Sequence, residues 1–381
     1  MPRGPLEGVE IVEFAGVGPG PMGAMLLADL GATVLRLERH DYVQLGTDKP
    51  ARFNLLTRNR QTLKLNLKKP EGIETALRII DRSDALIEGF RPGVMERLGL
   101  SPEKCLASNS KLVYARVTGW GQDGPLAKAA GHDLNYVALS GALHAIGREN
   151  APPTPPLALL GDFGGGGLYL ALGVACGLIE ARASGKGQVV DVAMVDGALS
   201  MMTAFYALHA AGMWSLERGT NLVDSGTSYY DVYACKDGEY ISIAPLEDRF
   251  RTDLYARLGM DPSLVTRDGP EHRNEMKALF AAAFAEKTRA EWCAILEGTD
   301  ACFAPVLSMA EAPGHPHLQA RGSLVEVDGI VQPAPAPRFS RTPAEKPSPP
   351  NAAAQSAHEV LPSWGFSPAE IKALRTSEAV S

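Results

Sequence analysis

Several features that would mark common protein classes are missing from this sequence. Its five cysteines (Cys105, Cys176, Cys235, Cys293 and Cys302) are odd in number, widely spaced and free of any CxxC pair. That argues against a disulfide framework and against a zinc site, so the expectation is reduced, mostly buried thiols and no metal. Basic charge is also scarce, with 37 Lys and Arg against 44 Asp and Glu for a formal net charge of −7. Nucleic-acid binding depends on basic surfaces that neutralise phosphates, so no nucleic acid is expected as a partner. No run of roughly eighteen or more apolar residues stands out, and Met1-Pro2-Arg3-Gly4-Pro5 lacks the charged-then-apolar pattern of a signal peptide. The expectation is a cytoplasmic protein with no membrane partner. The absence of a fixed short repeat disfavours solenoids and propellers.

What is present is ample core-forming material, 45% hydrophobic over 381 residues, enough for two domains. Val9 to Phe14 reads as a strand, Gly16 to Gly20 as punctuation, Met22 to Leu30 as an amphipathic helix and Ala32 to Leu37 as a second strand. The alternation continues with strands at Thr62 to Leu67, Ala85 to Glu88 and Leu112 to Thr118, and a helix at Glu71 to Ile80. The pattern predicts an α/β fold with a mostly parallel sheet, ligands gathering at the carboxyl ends of the strands. A helix from Leu168 to Ala183, ending at Gly185, and a strand near Val189 to Val195 close the first domain, 1–195. Residues 196–228 read as a linker. A hairpin around Lys236-Asp237-Gly238 then opens a smaller α+β domain, 229–310, with helices at Asp248 to Leu258, Arg273 to Ala285 and Arg289 to Leu296. A second linker, 311–334, leads to a proline-rich extended strap and a final helix announced by Ser367-Pro368-Ala369-Glu370.

The first turn fits G-x-G-x-x-G as Gly18-Pro19-Gly20-Pro21-Met22-Gly23, with Glu38 near the position of a ribose-binding acid. Pro19 and Pro21 have no NH to offer a pyrophosphate, however, which weakens a nicotinamide reading. More telling is a histidine, His132, in Gly131-His132-Asp133-Leu134-Asn135-Tyr136, ahead of Asp162, which opens the glycine run Gly164 to Gly167. A base and a carboxylic acid at the mouths of two helices can flank one carbon, taking a proton from one face and returning it to the other. Each could also be a simple helix cap, which is the plainer reading of either alone. The glycine run, read as the amino terminus of a helix, could bring NH groups to a developing enolate; its plainer reading is close helix packing.

In their order, the segments Gly16-Val17-Gly18-Pro19-Gly20-Pro21, Arg58-Asn59-Arg60, Glu88-Gly89-Phe90-Arg91-Pro92-Gly93, Thr118-Gly119-Trp120-Gly121-Gln122, Gly131-His132-Asp133 and Gly161-Asp162-Phe163-Gly164-Gly165 resemble those of the family III CoA-transferases. Within that family they resemble the α-methylacyl-CoA racemases. The resemblance implies an interlocked homodimer, each chain with a Rossmann-like large domain and a small domain, and residues 335–381 returning to the large one. It implies interconversion of (R)- and (S)-2-methylacyl-CoA thioesters by 1,1-proton transfer through an enolate. His132 and Asp162 would be the two acid/base groups, with Glu247 holding the histidine in its working state. CoA would enter as part of the acyl-CoA thioester substrate, with no separate cofactor. Matching positions imply CoA contacts at Arg39, Leu65, Asn66, Leu67, Lys68, Gly89, Phe90, Arg91, Arg97, Gly131, Asp133, Leu134, Asn135 and Tyr136, and Arg58 joins them as a basic residue for the CoA phosphates. Arg58 and Arg60 draw attention as a basic pair just before a strand, whereas Lys64 taken singly reads as a solvated charge. A family CoA-transferase with Asp162 as a covalent nucleophile is the alternative, and His132 has no obvious role in it. A non-catalytic CoA-binding scaffold would leave His132, Asp162 and Glu247 together unexplained.

Overall fold

A computed structural model describes residues 4–41, 47, 49–267, 269–351 and 354–381. Met1 to Arg3, on which part of the signal-peptide reading rests, lie outside the described residues. The chain divides into two units. The first is Met1–Ser140, Leu157–Met201 and Ala320–Ser381; the second is Gly141–Pro156 and Met202–Gln319.

The first unit is built on six strands: β1 (Glu10–Phe14), β2 (Thr33–Arg39), β3 (Arg60–Leu65), β4 (Ala85–Glu88), β5 (Val113–Thr118) and β6 (Gln188–Ala193). They form one parallel sheet in the order β3-β2-β1-β4-β5-β6. Strand order reverses between β1 and β4, so the loops leaving these two strands diverge and open a crevice at their carboxyl ends. Strands covered on both faces read as near-continuous apolar runs, and β1, β4 and β5 are buried almost throughout. One face packs Leu35, Leu63, Leu65, Ile79 and Tyr114 against Trp364, Ile371 and Val380 of the chain's last segment. The other packs Ile11, Leu27, Val34, Ile87 and Val117 against Leu170, Val174 and Leu178.

Three buried arginines break the apolar runs, each paired across strands. Arg36 of β2 and Arg60 of β3 both bind Glu13 of β1, Arg36 at 2.9 Å, and Arg116 of β5 binds Glu88 of β4 at 2.7 Å. A charge in such a core persists only when paired and hydrogen-bonded.

Helix α1 (Pro19–Asp29) starts earlier than its apolar pattern suggests, with proline in its first turn. It is buried on nearly all sides rather than amphipathic. The glycine run departs most from expectation. Gly164 to Gly167 do not precede a helix; they lie inside a π-helical segment, Leu159–Leu168, that continues into the α-helix Tyr169–Ser184. This 26-residue rod, Leu159–Ser184, is long and apolar enough by length and composition to cross a membrane, which the sequence reading did not anticipate. Its buried side, including Leu170, Val174 and Leu178, fills the sheet core, while Leu159, Leu168, Leu172 and Ile179 are exposed on its other side.

The stretch 196–228, read as a linker, is helical at Met194–Met201 and Thr203–Ala210. The later stretch 311–334 holds a helix, Pro316–Arg321, and an antiparallel hairpin of Leu324–Val327 with Ile330–Pro333. That hairpin turns on Asp328 and Gly329, both at positive φ (52° and 72°), the Asp-Gly turn of a two-residue loop. The final helix, Pro368–Thr376, carries the expected reciprocal cap: Ser367 Oγ accepts from the Glu370 NH, and the Ser367 NH donates to Glu370 Oε2.

The second unit has a three-stranded antiparallel sheet of Asp231–Ala234, Tyr240–Ile243 and Phe303–Pro305. Its core gathers Tyr233, Ile241, Tyr255, Phe280, Phe284 and Trp292. Helices Asp248–Leu258, Arg273–Phe284 and Arg289–Leu296 cover it.

Candidate functional site

His132 is the N-cap of the helix Asp133–Leu139; its backbone NH donates to Asn135 Oδ1 at 3.0 Å, and its side chain stands in solvent. Asp162 lies in the opening turn of the rod. Gly18 leaves β1's loop at φ 65° and presses so close that a Cβ there would come within 2.7 Å of Asp162 Oδ2. At Gly18 the Gly-Pro loop is therefore closely approached by a carboxylate of its own chain, a charge unfavourable to a dinucleotide pyrophosphate there.

Burial first, then the neighbouring Asp133, raise the Asp162 carboxyl to about 6, with His132 opposing the shift. Tyr136 is buried against Trp120, ring centroids 4.7 Å apart and edge to face. Burial, with Asp162 and Asp133 nearby, pushes its phenol up to about 12, while Arg91 opposes the shift. His132 is thus near enough to act on the Asp162 carboxyl electrostatically, and a raised carboxyl is the kind suited to acid/base chemistry.

Gly164 to Gly167 are spacers. Side chains on Gly165, Gly166 or Gly167 would strike Met194 and Ala198, Pro19, or Met22 respectively. The run lets the rod approach α1 and the Met194–Met201 helix. Its amides lie inside a continuous helical segment, which corrects their reading as donors to an enolate. The plainer alternative, close packing, is the one the structure adopts.

Six of the residues inferred as CoA contacts lie together around one cleft. A cleft of about 290 Å³ opens at the carboxyl ends of β1, β2 and β3 and just after β4, and Arg39, Leu65, Asn66, Leu67, Lys68 and Phe90 line it. The Arg39 guanidinium lies 5.9 Å from the Phe90 ring centroid, and the exposed Lys68 pairs with Asp41 at 2.7 Å. A larger polar cleft of about 430 Å³ lies at the opposite ends of β2 and β3, between Asp29, Asn59 and the strap residues Lys346 and Ser348. Position favours the smaller cleft, since ligands in such sheets collect beyond the strands' carboxyl ends.

Gly89, Arg91 and Arg97 are exposed around the loop after β4 but do not line that cleft. Leu134 and Asn135 are exposed on the helix after His132, and Gly131 packs under Trp120 and Tyr136.

Two inferred contacts are corrected. Arg58 is only 3% exposed, and its guanidinium is spent on Asp29, on Gln332 Oε1 at 2.8 Å and on the Pro333 carbonyl at 2.8 Å. Its companion Arg60 is held by Glu13 and by the Pro21 and Leu56 carbonyls. Neither guanidinium is open to a phosphate. Asp133 is turned inward, its Oδ1 accepting from the Gly161 and Asp162 amides.

Glu247 belongs to the second unit, exposed at the start of the Asp248–Leu258 helix. Sequence reading missed the seat that Gly18 makes for Asp162; the glycine between Val17 and Pro19 was its one visible signal.

Comparison with known proteins extends these observations. The family model for CoA-transferase family III matches residues 6–355. The α-methylacyl-CoA racemase of Mus musculus is 44% identical over 384 aligned residues, covering 98% of this chain and 97% of the mouse protein. The enzyme of that name from Homo sapiens is 40% identical, with the same coverage. Among solved structures, a CaiB/BaiF family protein from Brucella suis superposes with a TM-score of 0.81 at 24% identity, covering 95% of this chain and all of the other.

Proposed function

This chain belongs to CoA-transferase family III, and from that premise we propose that it is an α-methylacyl-CoA racemase, an isomerase acting on acyl-CoA thioesters. The mouse and human relatives carry that name across nearly their whole lengths. The observation that carries the chemistry is the Asp162 carboxyl, raised to about 6 and electrostatically coupled to His132.

The thioester acidifies its α-carbon. One member of the pair takes the α-proton, the electron pair of the broken C–H bond moves into the enolate, and the other member delivers a proton to the opposite face. With the two groups exchanging roles, either epimer can start. Asp162, titrating near the working pH, serves as acid in one direction and base in the other. Stabilisation of the enolate oxygen falls to donors outside the glycine run. The cleft beside Arg39, Asn66 and Lys68 is proposed to take the CoA moiety.

A homodimer is also proposed. Its support is the outer side of the rod, where Leu159, Leu168, Leu172 and Ile179 are more than half exposed in the single chain; apolar patches of this kind mark association surfaces. The role of Glu247 toward the histidine rests on the family resemblance.

The test is α-proton exchange. One epimer of a 2-methylacyl-CoA is incubated in deuterium oxide without acceptor acid, and deuterium uptake and epimer ratio are followed. Exchange with epimerisation is expected, and His132→Ala and Asp162→Ala should each lower it by about 10² to 10⁴. No exchange, but CoA transfer once a free acid is added, would sink the racemase reading and make Asp162 a nucleophile.

A further inference from the structure

Asp133 carries the inference that goes furthest. The residue is 9% exposed, and its Oδ1 accepts two backbone hydrogen bonds, from Gly161 NH at 2.8 Å and Asp162 NH at 2.7 Å. These amides lie in the opening turn of the rod, where NH groups have no acceptor within their own helix. Room for the contact exists because residue 161 is glycine: a Cβ there would sit 2.5 Å from Asp133 Oδ1. One peptide link away, His132 caps the other helix. The spacing of the two reactive groups is therefore set by a short covalent path and two charge-assisted hydrogen bonds, which are stronger than neutral ones.

We propose that Asp133 is a positioning residue of the racemase, clamping the amides of Gly161 and Asp162 so that the Asp162 carboxyl faces the substrate carbon at a fixed distance from His132. The assignment rests on the racemase reading above and replaces Asp133's earlier place among the CoA contacts. Asp133 also acts through its charge, since it raises the Asp162 carboxyl after burial has done so. The other ionisable neighbours are His132, which opposes it, and the Tyr136 phenol. The Gly16-to-Pro21 segment that seats Oδ2 carries no ionisable group.

Two variants of the full-length protein separate the roles. Asp133→Asn keeps an oxygen acceptor and loses the charge, whereas Asp133→Ala loses both. In the α-proton exchange assay, Asp133→Ala should lower kcat by about 10²-fold with KM nearly unchanged, the usual scale for a misplaced reacting group. Asp133→Asn should recover most of kcat, with the acid limb of its pH profile moved to lower pH. A carbon-13 aspartate titration of the ligand-free protein should show Asp162 titrating lower in Asp133→Asn than in the wild type.

A rise in KM at constant kcat in both variants would make Asp133 a substrate contact and overturn the proposal. So would an Asp162 titration and pH profile left unmoved in Asp133→Asn, which decides the matter even if Asp133→Ala fails to fold. Absence of exchange in the wild type would instead remove the racemase reading, and the titration would still report whether Asp133 acts on Asp162.

Discussion

Asp162 costs the fold something, and the sign of that cost can be worked out. Its folded-state value, about 6, lies above the ordinary 3.8. The group's contribution to stability is therefore complete below about pH 3.8 and is lost as pH rises through about 6. Asp162→Asn should be more stable than the wild type at pH 8, by about 1 kcal/mol once solvent screening of this half-exposed group is allowed for. In thermal melts the gap should narrow as pH falls toward 4; a gap independent of pH would contradict the assigned shift. His132 and Asp162 drew attention in the sequence as a base ahead of a carboxylic acid, and the structure brings them close enough to act on each other electrostatically, although the glycine run after Asp162 is not the helix start it was read as. Arg58 was misread because nothing local distinguishes an arginine aimed at a phosphate from one aimed at Asp29 and Gln332, partners 29 and 274 positions away. The two kinds respond differently to mutation. Arg58→Met leaves Asp29 as a buried unpaired charge and should cost about 3–5 kcal/mol in urea unfolding. Arg39→Ala should leave unfolding nearly unchanged and raise KM for acyl-CoA.

Among the elements, strand and helix positions in the first 120 residues follow from periodicity and punctuation, and Ala85–Glu88 falls where its apolar run placed it. The final helix was readable from its cap, because Ser and Glu three apart satisfy two orphan amides at once. The Asp328-Gly329 hairpin was equally available and was passed over for a linker. The π-helical glycine run was not available, because consecutive glycines signal low helix propensity and the compensation comes from other elements. That compensation is close approach: a Cβ on Gly197 would overlap the Gly165 carbonyl. Gly197→Ala should force the Met194–Met201 helix away from the rod and cost about 1–3 kcal/mol or more. Differential scanning fluorimetry measures it, and an unchanged Tm would show that the helices have slack. Because Asp162 lies in the rod's opening turn, activity should fall along with stability.

At the scale of the whole molecule, the doubly wound order of the sheet was legible as a class, since strands alternating with helices favour parallel pairing. The route by which the chain leaves the first unit at Met201 and returns at Ala320 is a matter of contacts far apart in sequence, which no local pattern encodes. The proposed homodimer makes a concentration-dependent prediction. Specific activity should fall on dilution in step with the dimer fraction measured by analytical ultracentrifugation, whereas constant activity in a monomeric sample would exclude shared sites.

The return carries a consequence for how the protein is made. Ala357, Val360, Leu361, Trp364, Phe366, Ile371 and Val380 complete one side of the sheet core, and Val380 bridges back to Leu65. All of them leave the ribosome after the whole second unit has been translated. At about 5–20 residues per second, the six strands wait on the order of ten to forty seconds with one apolar face only partly covered, by the helices before residue 110. During that interval the partly covered face is open to aggregation, and synonymous codons that slow translation between β6 and the last helix should lower the soluble yield.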